Sequence, residues 1–177
     1  MFLSVFDLFK VGVGPSSSHT IGPMVAGARF LDHLRRQPFR VHGLKASLHG
    51  SLAFTGVGHA TDRAVILGLA GFRADDYDAA RAEAELDRIR RDGAVHPPGL
   101  PELTFLPDRD LLFDFGPALP GHANGLILRA TDAQGDTIAE VIYYSVGGGF
   151  VVTAQELATG KDRDDGPPVP FPFRSAR

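Results

Sequence analysis

Two histidines lie beside hydroxyl-bearing side chains, each just before a segment with a helical pattern. The first cluster is Ser16-Ser17-Ser18-His19-Thr20, and the second is His59-Ala60-Thr61-Asp62. Imidazole can take up or release a proton near neutral pH, and the free N–H groups at a helix N-terminus favour an anion. If both turns face one pocket, the first could hold a carboxylate while the second supplies a base.

Each cluster also has a purely structural interpretation. Ser18 or Thr20 can cap the helix that follows, and Pro23 fits its first turn. His59 taken alone can be a loop histidine that bonds to backbone. The presence of two such junctions in one chain favours the catalytic interpretation. Three further histidines are most simply surface or strand residues: His33, His42 and His96.

Other site chemistries find little support. The chain has no cysteine, so it offers no disulfide, no thiol nucleophile and no thiolate ligand for zinc or an iron–sulfur cluster. The seven histidines show no metal-ligand spacing, so no metal site is predicted in this chain. A hydrolase elbow of the form Gly-x-Ser-x-Gly is missing, and Gly12-Val13-Gly14 lacks the rest of a dinucleotide fingerprint.

Composition places the chain among ordinary globular domains. Its 177 residues suit one domain with a real core, and it is 44% hydrophobic and 22% charged. A net charge of −3 gives no electrostatic case for binding nucleic acid or an anionic membrane. No apolar run approaches the roughly 18 residues of a membrane span, and no targeting signal is evident. A cytoplasmic protein is therefore expected.

Several elements must position the two clusters. The first helix follows Thr20, with a buried face of Met24, Ala28, Leu31 and Leu34 at helical intervals. Alternation over residues 41–50 predicts a strand with one buried and one polar face, and residues 50–58 are predicted to form a loop. A short apolar helix over 64–70 is expected to be capped by Thr61 or Asp62 and ended by Gly71.

The second half of the chain mixes helix and strand signals. Residues 75–92 have the clearest helical pattern, with Asp76 or Asp78 as its cap and Gly93 at its end. Strands are predicted over 103–105, 111–115, 126–131, 137–145 and 150–152, with a hairpin turn at 132–136. The predicted class is therefore α+β, a single mixed β-sheet covered by helices. Residues 1–160 are predicted to form the domain, and the proline-rich residues 161–177 are predicted to form a linker.

Four motifs resemble the iron–sulfur-dependent L-serine dehydratases, also called L-serine ammonia-lyases. The first runs from Ser4 to Met24 and the second from Gly50 to Asp62. The third is His122-Ala123-Asn124-Gly125, and the fourth runs from Tyr143 to Phe150. The resemblance covers nearly the whole chain, and its long first motif is very specific. It identifies residues 1–160 as similar to the β domain of that family, whose fold resembles the effector-binding domain of some phosphoglycerate dehydrogenases.

The resemblance implies a division of labour between two parts of an enzyme. In the family the [4Fe–4S] cluster is held by cysteines of a following α domain, so its ligands are not in this chain. The implied partners are that cluster-bearing α domain or subunit, L-serine, and a second copy of the chain in a homo-oligomer. The isolated chain is then expected to be inactive. The implied pathway context is amino-acid catabolism and gluconeogenesis through pyruvate.

Residue roles also follow from the resemblance. His59 is the candidate base that removes the Cα proton of serine, and His19 is the second candidate catalytic residue. The substrate-binding candidates are Ser16, Ser17, Ser18, Thr20, Thr61, Asp62, His122 and Asn124, with Thr61 and Asp62 orienting His59. The alternative function is a non-catalytic domain that binds a small-molecule effector or serves assembly.

Overall fold

One mixed β-sheet with helices packed on it forms the core of the chain. The computed structural model describes residues 13–160. Its helices are α1 (Ile21–Leu34), α2 (Ser51–Phe54), α3 (Gly56–His59), α4 (Thr61–Leu69), α5 (Ala79–Asp92), α6 (Pro107–Asp110) and α7 (Ala154–Thr159). Its strands are β1 (Gly43–Gly50), β2 (Ala94–Val95), β3 (Leu103–Thr104), β4 (Leu111–Asp114), β5 (Asn124–Thr131), β6 (Thr137–Gly147) and β7 (Phe150–Thr153). The predicted α+β class is confirmed.

Strand β1 lies at the centre of the sheet. The order is β2-β3-β1-β5-β6-β7, and β4 also pairs with β1. Strands β3 and β4 run parallel to β1 along one edge, at its start and at its end, while β5 runs antiparallel along the other. The hairpin from β5 to β6 is present as predicted, and the Asp132 carboxylate accepts hydrogen bonds from the N–H groups of Gln134 and Asp136.

The polar face predicted for β1 is mostly buried. Lys45 is exposed, but Ser47 and His49 are 4% and 7% exposed because β1 has neighbours on both sides. The two side chains satisfy each other, since Ser47 Oγ and His49 Nε2 lie 3.0 Å apart. The alternating pattern therefore predicted the strand correctly, but it wrongly predicted that Ser47 and His49 would be exposed.

Helices α1 and α4 cross where both lack a side chain. A Cβ at Gly27 would lie 2.7 Å from the Gly68 carbonyl carbon, and one at Gly68 would lie 2.9 Å from Met24 Cα. The buried face of α1 includes Met24, Phe30, Leu31 and Leu34, while the predicted Ala28 is only partly buried. Helix α1 also packs against β6 and β7, so it joins α4 to the sheet.

One prediction about regular structure is wrong, and one helix near the end of the described residues was missed. Residues 50–58 are not a loop but contain the short helices α2 and α3, both rich in small residues. Helix α7 was not predicted, although its Thr153-Ala154-Gln155-Glu156 start is a capping box in which both reciprocal hydrogen bonds form.

Two of the three predicted helix caps are also wrong. The Thr20 hydroxyl donates to the Ser16 carbonyl and leaves α1 without a side-chain cap. Helix α4 is preceded by Ala60 in a left-handed conformation with φ +59°, so neither Thr61 nor Asp62 occupies the cap position. In α5, by contrast, the Asp78 carboxylate accepts from the Arg81 N–H as predicted.

Some predictions lie outside the described residues. These are the first part of the first motif, residues 4–12, and the proposed linker over 161–177. Among residues 13–160, the helices are all too short or too polar to cross a membrane.

Candidate functional site

A tight turn places His19 at the start of α1. The Ser16 carbonyl accepts hydrogen bonds from the backbone N–H groups of His19 and Thr20, at 3.1 and 2.9 Å. This arrangement brings two hydroxyls to one ring nitrogen. His19 Nδ1 lies 3.1 Å from Ser18 Oγ and 3.3 Å from Ser16 Oγ. The ring is therefore fixed by its own turn, while Ser17 remains exposed.

The first turn of α1 keeps few free backbone donors. The Gly22 N–H donates to the Ser17 carbonyl, the Met24 N–H donates to the Thr20 carbonyl, and Pro23 has no N–H. The anion-binding N–H groups predicted here are thus mostly occupied by the turn. A carboxylate placed here would therefore meet the Ser16 and Ser18 hydroxyls and the His19 imidazole rather than free backbone N–H groups.

The other ring nitrogen of His19 contacts Ser51, which was not among the residues predicted to form the site. His19 Nε2 lies 3.0 Å from Ser51 Oγ. Ser51 follows Gly50 at the end of β1, where Gly50 has φ +55° and a Cβ would lie 3.1 Å from Ala118 Cβ. Only glycine suits that turn. The Gly-Ser pair after a buried strand was the available sequence signal for Ser51.

The backbone of α2 and α3 fixes the tautomer of His59. His59 Nδ1 lies 2.8 Å from the Thr55 carbonyl oxygen, which can only accept a hydrogen bond, so Nδ1 carries the proton. Nε2 then has the free lone pair of a base. The contact spans four residues, as one helical turn requires. No sequence pattern marks it because the acceptor is a backbone carbonyl.

The structure brings the two predicted histidines together. The ring centroids of His19 and His59 lie 4.8 Å apart, with 33° between the ring planes. Gly14, which precedes the turn of His19, also packs against the backbone of His59, because a Cβ at Gly14 would lie 2.7 Å from the His59 carbonyl oxygen. Both imidazoles are partly exposed, so a small molecule can reach them.

The environment of His19 keeps it neutral. Burial lowers the pKa of His19 below its ordinary value of 6.5, and the neighbouring His59 lowers it further because two imidazolium charges repel each other. A neutral imidazole has one nitrogen that donates and one that accepts. Neutral His19 can therefore donate a hydrogen bond from one ring nitrogen and accept one at the other. Its partners are Ser51 at Nε2 and the two serines of its own turn at Nδ1.

Three predicted substrate-binding residues are not exposed at the histidine pair: Thr20, Thr61 and Asp62. Thr20 and Thr61 are fully buried, and the Thr61 hydroxyl has no hydrogen-bond partner among the described residues. Asp62 lines a separate groove with Ile66 and Phe113. Among the described residues the hydrogen-bond partner of the His59 ring is Thr55, rather than Thr61 or Asp62.

The third motif reaches the site through the backbone. The Ser51 N–H donates to the Ala123 carbonyl at 2.8 Å, and the Asn124 N–H donates to His122 Nδ1 at 3.1 Å. The Asn124 side chain turns toward the fourth motif, where its Nδ2 donates to the Ser145 carbonyl at 3.2 Å. His122 and Asn124 therefore brace the strand end that carries Ser51.

The four motifs form a closed circuit of contacts. The circuit runs from His19 to Ser51, from Ser51 to the 122–125 segment, and from Asn124 to Ser145. It closes at Gly22, where a Cβ would overlap the Ser145 Oγ. That hydroxyl is fully buried and has no hydrogen-bond partner among the described residues. Gly14 and Gly22 thus allow close approaches within the protein itself.

The residues present do not suit an iron–sulfur cluster. The sequence has no cysteine, and no group of three His, Asp or Glu side chains within residues 13–160 could hold a metal ion. Two of the histidines outside the site have ordinary partners. His33 stacks on Phe30, and His96 Nε2 lies 2.6 Å from the Glu102 carboxylate.

Known proteins match this chain along most of its length. The family model described as serine dehydratase beta chain matches residues 4–156. An L-serine dehydratase of Streptomyces coelicolor is 44% identical over 99% of this chain and 39% of the relative. One from Helicobacter pylori is 41% identical and one from Haemophilus influenzae 38% identical, each over 98% of this chain and 38% of the relative. The chain thus spans about two fifths of the length of these relatives. It belongs to the serine dehydratase β-chain family.

Proposed function

We propose that this chain is the β part of an L-serine dehydratase, which converts L-serine to pyruvate and ammonia once the rest of the enzyme is present. The observation that carries the proposal is the histidine pair, in which the Thr55 carbonyl leaves His59 Nε2 free to accept a proton. Relatives named L-serine dehydratase support the substrate. A homo-oligomer and a cytoplasmic location remain predictions from the sequence.

The proposed reaction begins at the Cα of serine. His59 Nε2 takes the Cα proton, and the electrons of the broken C–H bond form a double bond to Cβ. The Cβ–O bond breaks, and the departing hydroxide takes up a proton from solvent to leave as water, while His59 releases the Cα proton to solvent. The resulting aminoacrylate rearranges to an imine, and water hydrolyses this imine to pyruvate and ammonia. A general base of this kind contributes about 10²–10⁴-fold in rate.

His19 and its hydroxyl partners form the proposed binding side. Ser16 and Ser18 at Nδ1 and Ser51 at Nε2 can each turn a hydroxyl toward a carboxylate. Because His19 is neutral, it adds a hydrogen bond without adding a charge. The substrate would be oriented by these groups so that its Cα–H points at His59.

The cluster of the proposed enzyme belongs to its remaining part. Such a cluster supplies Lewis-acid assistance to the carboxylate and hydroxyl oxygens. This chain contributes no cysteine to it. Alone, the chain holds the proposed base and binding hydroxyls, and we expect it to show no turnover.

The test replaces the proposed base in the assembled enzyme. His59→Ala is expected to lower kcat by about 10²–10⁴-fold while the visible absorption of the cluster stays intact. His33→Ala is the matched control, since that exposed histidine lies about 18 Å along α1 from its start and is expected to keep full activity. Near-normal turnover in His59→Ala would contradict the proposal and favour a non-catalytic binding domain.

A further inference from the structure

Three large apolar side chains are exposed at the edge of the histidine site. Phe54, Val57 and Phe115, here called the aromatic rim, are 64%, 78% and 60% exposed. The rings of Phe54 and Phe115 pack edge to face with centroids 5.4 Å apart. Since that geometry is the favourable one for aromatic pairs, the two rings form one preorganised surface.

The aromatic rim is built on the same two short helices as the proposed base. Phe54 directly precedes Thr55, whose carbonyl holds the His59 ring, and Val57 lies two residues before His59. Phe113 supports this segment from below, because a Cβ at Gly56 would lie 2.8 Å from its ring. Any molecule that covers the rim would therefore lie beside the opening to His59.

Exposed apolar surface of this kind has a known meaning. Folded monomers rarely expose large contiguous apolar patches, and aromatic residues are enriched where proteins meet. Phe54, Val57 and Phe115 are not part of the hydrophobic core cluster, which contains most of the buried apolar side chains of residues 13–160. The rim is therefore surface left over after the domain has folded.

We propose that the aromatic rim is the docking surface for the part of the dehydratase that this chain does not contain. The proposal rests on the proposed function, because it assigns the partner of that same site. The relatives carry about three fifths of their length beyond the matched segment, enough for a large second domain. If that part supplies the groups that this chain lacks, it must come close to His59 and cover the surface beside it.

A second copy of the chain fits the rim less well. Two copies paired through their rims would place two histidine sites face to face. The remaining part of the enzyme would then have to compete with the second copy for the surface beside each His59. Only a partner that covers the rim and also reaches His59 satisfies both observations.

The chain offers a matched control on the same strand that carries Phe113. Leu112 is 57% exposed, nearly as much as Phe115. Successive side chains of a strand point to opposite faces, so Leu112 and Phe113 face opposite sides of β4. Leu112 thus has the same chemistry and exposure but lies on the other side.

A single introduced cysteine can show by its reactivity whether its position is covered by a partner, because the chain has no cysteine of its own. We would introduce Val57→Cys, Phe115→Cys and, as control, Leu112→Cys, and verify each fold by circular dichroism. Each variant would be treated with a maleimide as the isolated chain and in the assembled enzyme, and the label located by peptide mass spectrometry. We expect labelling at positions 57 and 115 to be lost on assembly, and labelling at 112 to persist.

Two results would overturn the docking proposal. One is equal labelling at 57 and 115 with and without the rest of the enzyme. The other is protection in the isolated chain that grows with its concentration, which would identify a second copy as the occupant. Labelling does not depend on turnover, so the activity of His59→Ala can fail its own test while the docking result stands, and the reverse.

Discussion

At the scale of single residues, the site depends on how two adjacent imidazoles share their protons. His59 has its proton fixed on Nδ1 by the Thr55 carbonyl, whereas His19 lies between hydroxyls that can donate or accept. Burial and the neighbouring ring both lower the pKa of His19. The pair therefore combines a base of defined direction with a neutral, adaptable binding group.

Removing one imidazole should be visible at the other. In His59→Gln the repulsion from the second ring is gone, so we expect the pKa of His19 to rise toward its ordinary value of 6.5. NMR of the imidazole nitrogens over a pH series would measure it, with His33→Gln as control. If the pKa of His19 were the same in both variants, its depression would come from burial alone.

The residue types of the site could be predicted, but its hydrogen bonds could not. The sequence pointed to His19 and His59 because each lies beside hydroxyls before a helix. It assigned Ser18, Thr20 and Thr61 as caps or ligands, yet Thr20 bonds to its own turn and Thr61 is buried. Short polar side chains choose between such local partners according to backbone geometry, which composition and spacing do not define.

At the scale of elements, the site depends on how closely α1 and α4 approach. His19 precedes α1 and His59 precedes α4, so the crossing at Gly27 and Gly68 sets the distance between the two turns. No side chain fits at that crossing. The separation of the histidines thus depends on contacts along the helices that follow them, as well as on the close approach of Gly14 to the His59 carbonyl.

A methyl group at the crossing should destabilise the fold. Gly68→Ala would place a Cβ against the backbone of Met24, and we expect a loss of about 1–3 kcal/mol in the free energy of unfolding. Gly58→Ala is the control, since nothing lies within 4 Å of a Cβ there and alanine favours a helix. Urea denaturation would compare the two variants, and equal stability would show that the crossing can relax.

Elements with a strong period were predicted well and short ones poorly. The pattern over 75–92 gave α5 with its Asp78 cap, because many positions of one helix agreed. Helices α2 and α3 have four residues each, too few for any period to show. Helix α7 exposes its side chains and was marked only by its capping box, a signal independent of hydrophobicity.

At the scale of the whole molecule, the partly buried His19 and the buried His49 link stability to pH. Burial lowers the pKa of His49 as well as that of His19, with Arg129 adding to the effect on His49 and Asp114 opposing it. Both groups bind a proton less readily in the folded state than in the unfolded one. Below the ordinary value of 6.5, the unfolded state therefore takes up more protons.

Stability should accordingly decline on mild acidification. We expect the free energy of unfolding to be level above about pH 7 and to fall from about pH 6.5 downward, before the carboxylates titrate. Urea titrations between pH 8 and about pH 5 would measure the slope, and the His19→Gln/His49→Gln double variant should flatten it. An unchanged slope in that variant would assign the acid sensitivity to other groups.

The class of the fold could be predicted, whereas the sheet order could not. The mixture of a hairpin signal with helical segments indicated α+β, and the structure confirms it. The placement of β3 and β4 along the same edge of β1 depends on long-range pairing, which local patterns do not contain. That pairing is also what buries Ser47 and His49.

The circuit that joins the four motifs has a consequence for how the protein is made. A nascent chain presents His19 and His59 early, but the partners that complete the circuit, Asn124 and Ser145, leave the ribosome much later. Until strand β6 has emerged, Gly22 has no Ser145 to pack against. Both histidines are therefore synthesised before the strand that completes the circuit, so a chain halted before β6 would carry both imidazoles without the finished site.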